Sequence, residues 1–160
     1  MLLVMSKTSI EKIGLKYGIY SATAYILFFL LMNLLGLEHL YWLRALNYIF
    51  LFAGIFIAIK EYRRKHQRTF AYMNGIGVGM ITSVVSTLIF AFFIAIYLDV
   101  IDPDFMADIK KNQMFGTYLN PYIAAAAIFM EGTLSGLLTA FILMQYFKRS
   151  HANETEHSVP

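Results

Sequence analysis

The stretch TFAYMNGIGVGMITSVVSTLIFAFFIAIYL, Thr69 to Leu98, runs for 30 residues without an Asp, Glu, Lys or Arg. About 20 apolar residues at a rise of ~1.5 Å cross a ~30 Å hydrocarbon layer, so this run predicts a membrane-spanning helix with length to spare. The excess is expected to tilt or to protrude past the headgroups. Three further runs lie on either side of it. Tyr17 to Leu37 gives 21 uncharged residues, and Ala45 to Ile59 gives 15, lengthened by Leu40-Tyr41-Trp42-Leu43 if Arg44 is held near one edge. Pro121 to Phe147 gives 27, interrupted only by Glu131. Helix is the expected form, because unpaired backbone groups in hydrocarbon are too costly for open strands, and the runs lack the alternation of a barrel strand. The sequence therefore predicts an all-α integral membrane protein, an antiparallel bundle of four transmembrane helices over about residues 15–37, 40–60, 70–98 and 119–147. These form one domain, 1–149, followed by a polar tail, 150–160, expected to be disordered and cytoplasmic.

Composition points the same way. The chain is 59% apolar and 14% charged, whereas soluble domains carry roughly 25% charged residues. An aromatic share of 16% excludes a disordered chain. The absence of cysteine removes disulfides, thiolate catalysis and Cys-ligated metal sites. The first run exceeds the roughly 7–15 residues of a signal-peptide core and no A-x-A-like site follows Leu37, so it reads as a retained helix.

Charge is sorted by position. Lys7, Lys12 and Lys16, then Lys60, Arg63, Arg64, Lys65 and Arg68, then Lys148 and Arg149 put ten of the 13 basic residues on one side. The other side has Arg44, Lys110 and Lys111 beside Glu38, Asp99, Asp102, Asp104 and Asp108. Basic residues favour the cytoplasmic side, which predicts that both termini are cytoplasmic. Tyr41, Trp42, Tyr97, Tyr118 and Tyr122 mark the outer boundary, and Tyr17, Tyr62, Tyr72 and Tyr146 the inner one. In the third connection Asp102-Pro103-Asp104 reads as a helix start, with an Asp cap, a proline at the first position and an acid for the dipole. Phe105, Met106 and Ile109 then share one face, which predicts a short interfacial helix on the outer surface.

Three stretches carry a resemblance: Lys16-Tyr17-Gly18, IKEYRRKHQRTFAYMNGIGVG at 59–79, and IYLDVIDPDF at 96–105. Their order resembles that of the domain of unknown function 4199 family over about residues 12–148, with Ile-Asp-Pro-Asp-Phe at 101–105 the most specific element. The resemblance implies a small four-span protein of the bacterial inner membrane. It implies no activity and supplies no functional residue.

Glu131 is the sharpest candidate site. It lies about ten residues from Pro121, or ~15 Å along a helix, which is near mid-bilayer. A charged side chain there costs roughly 2.5–3.5 kcal/mol on insertion scales, so something must offset it. One reading is a proton or cation carrier, and the other is a hydrogen-bonded acid that locks helix packing. Ser83, Ser86 and Thr87, at comparable depth in the third span, are its expected partners. Three small-residue ladders, Gly14/Gly18/Ala22, Gly75/Gly79/Ser83 and Gly132/Gly136/Ala140, each repeat every four residues and predict close helix contact. Such contacts can form within the chain, with another copy or with another membrane protein.

Other features read as ordinary. Gly75-Ile-Gly77-Val-Gly79 lacks the G-x-G-x-x-G spacing and the preceding strand of a dinucleotide loop. Asp99, Asp102, Asp104 and Asp108 lack the calcium-loop spacing. The cluster from Lys60 to Arg68 reads as a topology signal attracted to anionic lipid, not as a nucleic-acid site. His39, His66, His151 and His157 all fall outside the span centres, so neither a bundle-core haem nor a His-held metal is expected. No cofactor is expected. No serine has a membrane-depth base to activate it, so an enzyme is disfavoured. Two functions from different classes follow: a non-enzymatic structural or partner-binding protein whose immediate surroundings are the lipid bilayer, and an oligomeric proton- or ion-coupled transporter using Glu131.

Overall fold

The computed structural model describes residues 2–36, 46–66, 70–112 and 118–156, and the described residues contain no strand. Helix α1 is Leu2–Leu34, α2 Leu46–Lys65, α3 Tyr72–Ile96, α4 Pro103–Asn112 and α5 Pro121–Glu156. Three stretches are long and apolar enough to cross a membrane, Ile10–Leu34, Tyr72–Ile101 and Pro121–Phe147. Helix α2 has 20 residues but ends in LysGluTyrArgArgLys at 60–65, which leaves it a shorter apolar part. The expected extension of that span through Leu40–Leu43, and Arg44 with it, lies outside the described residues.

Two boundaries differ from the sequence reading. Helix α1 begins at Leu2, well before residue 15. Helix α5 continues to Glu156, so residues 150–156 are helical where a disordered tail is expected. No glycine or proline stands between Gly136 and Pro160 to stop it, and Ala152, Glu154 and Glu156 favour helix.

The helices' ends have local causes. Gly36, at φ +67°, closes α1 with its N–H on the Asn33 carbonyl at 2.9 Å, while the Leu35 N–H reaches Leu31 at 3.1 Å. Only glycine takes that backbone without strain. At the far end of α3 the backbone widens into a π-helical turn over Tyr97–Ile101, and the Asp102 N–H reaches back to the Tyr97 carbonyl at 2.9 Å. Helix α4 starts directly after this turn, as the Asp-Pro-Asp pattern predicts. Met106 is buried and Ile109 packs on the core, so an apolar edge of α4 is turned onto the bundle.

Helix α3 is the centre of the fold, packed along α1, α2 and α5. The contacting pairs give directions. Gly14 and Gly18 meet Ile81 and Val85, so α1 and α3 run the same way. Gly75, Gly79, Gly136 and Gly132 meet Met144, Ala140, Ser83 and Thr87, so α3 and α5 run oppositely. Gly54 of α2 meets Ser21 of α1 and Phe28 meets Phe50, again in opposite directions.

The interior is lined by small and hydroxylic groups as well as by apolar ones. Ser21, Thr82, Ser83, Ser86 and Thr87 are buried, while Leu27, Phe92, Leu134, Leu138 and Ile142 are exposed. A water-facing surface does not carry so many large apolar side chains in one continuous belt. The pattern suits a bundle whose outer solvent is hydrocarbon.

Candidate functional site

The seam between α3 and α5 is closely fitted through small residues. The ladder Gly75/Gly79/Ser83 continues to Thr87, and it meshes with Gly132/Gly136/Ala140 and Met144. A Cβ at Gly79 would lie 2.6 Å from that of Ala140, and one at Gly136 would overlap the Ser83 side chain. On the other side of α3, a Cβ at Gly14 or Gly18 would come within 2.7 Å of Ile81 or Val85. All six ladder glycines therefore stand against a neighbouring helix, and at all but Gly75, which faces the flexible end of Met144, an added Cβ has no room. Sequence reasoning missed a seventh, Gly54, whose Cβ would overlap the Ser21 hydroxyl. Its signal was the small pair Gly54/Ala58 with the same four-residue step, and Ala58 is fully buried.

The buried hydroxyls of α3 are bonded either across this seam or back along their own helix. Ser83 donates to the Gly132 carbonyl of α5 at 3.2 Å, and the Thr87 and Thr133 hydroxyls are 3.2 Å apart. Ser86 and Thr87 donate to the Ser83 carbonyl at 3.0 and 2.8 Å, and Thr82 to Val78 at 2.8 Å. Bonds to a residue one turn back satisfy a hydroxyl without needing a partner helix.

Glu131 is not turned toward that seam. It is exposed on the flank of α5, and its carboxylate accepts a hydrogen bond from the Tyr48 hydroxyl of α2. The expected grouping of Glu131 with Ser83, Ser86 and Thr87 is thus replaced by a Glu131–Tyr48 pair across a different seam. Helical geometry gives the reason: Glu131 precedes the ladder residue Gly132 by one position, a rotation of about 100°. That rotation carries it from α3 to the α2 side. Tyr48 escaped the sequence reading because it lies inside a span, away from the boundary tyrosines. The signal available was its seven-residue step to the buried Ile55, which puts both on one stripe of α2.

The α2–α5 seam continues from this pair toward the basic end. There Phe52 and Phe56 stack at 6.5 Å, and Phe56 stacks on Phe147 of α5 at 5.6 Å. Lys60 stands 5.9 Å above the Phe56 ring, and the Arg63 guanidinium 5.5 Å above Phe147.

A second polar group ties α1 to α2 at the basic end. Glu61 accepts from the Tyr17 hydroxyl and, at 2.6 Å, from Lys65, with Lys16 at 3.7 Å. The Lys65 and Tyr17 hydrogen bonds hold the Glu61 carboxyl down at about 2, well below the usual carboxylate range. At the opposite end the Tyr122 hydroxyl donates to Asp99 at 3.2 Å, linking the start of α5 to the π-helical turn.

Two of the stretches that carried the resemblance thus come into contact. Lys16-Tyr17-Gly18 meets Glu61 and Val85, and IYLDVIDPDF builds the π turn and the start of α4. The family model described as protein of unknown function (DUF4199) matches residues 16–149. The chain belongs to this family. No curated protein and no solved structure matches it. The DUF4199 region opens at Lys16 and closes just after Phe147, so it contains both the glycine seam and the Glu131–Tyr48 pair.

Proposed function

We propose that this DUF4199 protein is a non-enzymatic, four-span protein of the bacterial inner membrane that binds another membrane component through its α2–α5 face. In this reading α2 is the fourth span, α4 lies at the outer surface, and both termini are cytoplasmic, as the charge distribution favours. The observation that carries the reading is the outward aspect of Glu131 with Tyr48. A carboxyl at mid-span is costly wherever it meets hydrocarbon, and acids in spans normally face a bundle interior or a partner. Here the interior route between α3 and α5 is filled by meshed small residues. A lateral partner seated on this face would take the exposed Glu131 and Tyr48 out of hydrocarbon.

The test is photo-crosslinking from Met130 or Leu134, both well exposed next to Glu131, in native membranes. A discrete protein adduct from these positions, absent from Leu27 or Phe92 and lost in Glu131→Ala, is expected. Equal adducts from all four positions would overturn the reading.

A second reading, proton carriage by an oligomer, draws on the same exposure, since an outward carboxyl is one that a proton donor in a neighbouring subunit can reach. Glu131→Gln separates the two. Gln can still accept the Tyr48 hydrogen bond but cannot titrate, so partner capture survives and carriage is abolished.

A further inference from the structure

Where α1 and α2 meet at their basic end, one carboxylate faces three cations. Glu61 lies between the helices with its side chain only 13% exposed, and it accepts from the Tyr17 hydroxyl and, at 2.6 Å, from Lys65. Lys16 stands 3.7 Å from Glu61, an ion pair too long for a hydrogen bond, and its side chain is 48% exposed. It lies over two rings, 5.2 Å from the centroid of Tyr17 and 5.9 Å from that of Tyr20. Arg64 of α2 is exposed and within electrostatic reach of the Tyr17 hydroxyl, which places it on the same side of the seam. A cation seated on a ring still turns N–H donors away from it, where an anion can take them.

The other acids near this end do not restore the balance. Glu11 on α1 is five residues from Lys16 and so is turned about 140° away around the helix. The stretches 1–9 and 67–69, which adjoin this end in the sequence, hold no Asp or Glu, and they contribute Lys7 and Arg68. Glu154 and Glu156 belong to α5, ~10 Å or more along that helix past Phe147.

Below each cation, toward the middle of the helices, the surface turns apolar. Lys16, Tyr20 and Leu27 share one stripe of α1, and Ile57 lies two turns below Arg64 on one stripe of α2. Tyr20, Leu27 and Ile57 are all exposed. An occupant must therefore bring negative charge at the rim and an apolar body beneath it. We propose that the groove between α1 and α2 binds an anionic phospholipid, with its phosphate on Lys16 and Arg64 and its acyl chain along Tyr20 and Ile57. Basic sites between spans are the form that headgroup recognition takes in membrane proteins. The inference rests on the reading of α2 as a span, and not on the partner at Glu131.

The experiment is native mass spectrometry of the full-length protein in detergent, titrated with phosphatidylglycerol or phosphatidylcholine. The unaltered protein is expected to hold phosphatidylglycerol at least about fivefold more tightly than phosphatidylcholine, with Lys16 and Arg64 each contributing about fivefold. The double variant Lys16→Gln/Arg64→Gln is expected to lose that preference. Lys148→Gln/Arg149→Gln, the same charge loss on α5 at the same end, is expected to keep it. Glu131→Ala, which disturbs the partner face, is expected to keep it as well. Equal binding of the two lipids by the unaltered protein would overturn the proposal without reference to any variant, whatever the crosslinks from Met130 show. So would an equal loss in the Lys148/Arg149 control, which would mean diffuse attraction, or displacement by soluble glycerol phosphate, which would mean a phosphate site with no use for the chain.

Discussion

Helix α5 has two neighbours and meets them in opposite ways. Toward α3 it presents Gly132, Gly136 and Ala140, and the backbones come so close that a single added carbon has no room. Toward α2 it presents Glu131 and Phe147, and the contact is made by long side chains reaching across. The first seam is dry packing with its polar groups satisfied internally. The second is a surface that still exposes aromatic rings, a carboxylate and cations. Within hydrocarbon there is little hydrophobic drive for helices to associate, so close fit carries the fold.

The contrast is broken or sharpened most strongly at Gly136. Gly136→Val drives two methyl groups into Ser83 and is expected to cost about 3 kcal/mol, read as thermal unfolding in detergent. Phe52→Ala, in the open seam, is expected to cost much less, since that ring is already half exposed. Equal losses would erase the distinction between the two seams.

Glu61 extends the comparison to the α1–α2 seam. Its carboxyl is held near 2, below the usual 4.5, so the charged form is the one that the fold favours. That contribution is complete above about pH 4.5 and is lost as pH falls toward 2. Glu61→Gln is expected to lower stability at pH 7 by about 1–2 kcal/mol and to flatten the acid limb of a stability–pH curve. An unchanged acid limb would remove the Tyr17–Glu61–Lys65 group from the stability argument.

Tyr48→Phe deletes one interhelical hydrogen bond and is expected to cost about 0.6 kcal/mol, but to weaken crosslinking from Met130. A large stability loss instead would place Glu131–Tyr48 among the packing contacts. The smallest effect is expected at Gly77, whose added Cβ would meet, among the described residues, Ile10 alone at an ordinary 3.6 Å. Gly77→Ala is expected to raise stability by about 0.5 kcal/mol through helix propensity, measured by the same unfolding assay.

The apolar runs around residues 17–37, 69–98 and 121–147 were legible because length and the absence of charge suffice to find such a helix. The glycine ladders were legible as well, since a four-residue step names a face whatever surrounds it. The direction of Glu131 was not, because α5 is apolar almost all round and hydrophobic periodicity therefore gives no inside or outside. Only its offset from Gly132 carried that information. The Tyr48 partnership was harder still: it joins residues 83 positions apart, and nothing local to either residue encodes the meeting.

The central position of α3 also sets an order of events. The glycine face of α1 is shaped for Ile81 and Val85, which follow it by roughly 70 residues, or about 3–14 s of synthesis at ordinary elongation rates. During that interval α1 and α2 can close only their own seam, through Gly54 and Ser21. The newly made α1–α2 pair must therefore wait with the glycine face of α1 uncovered. The cell's insertion machinery, or a neighbouring helix, has that long to shield it or to capture it.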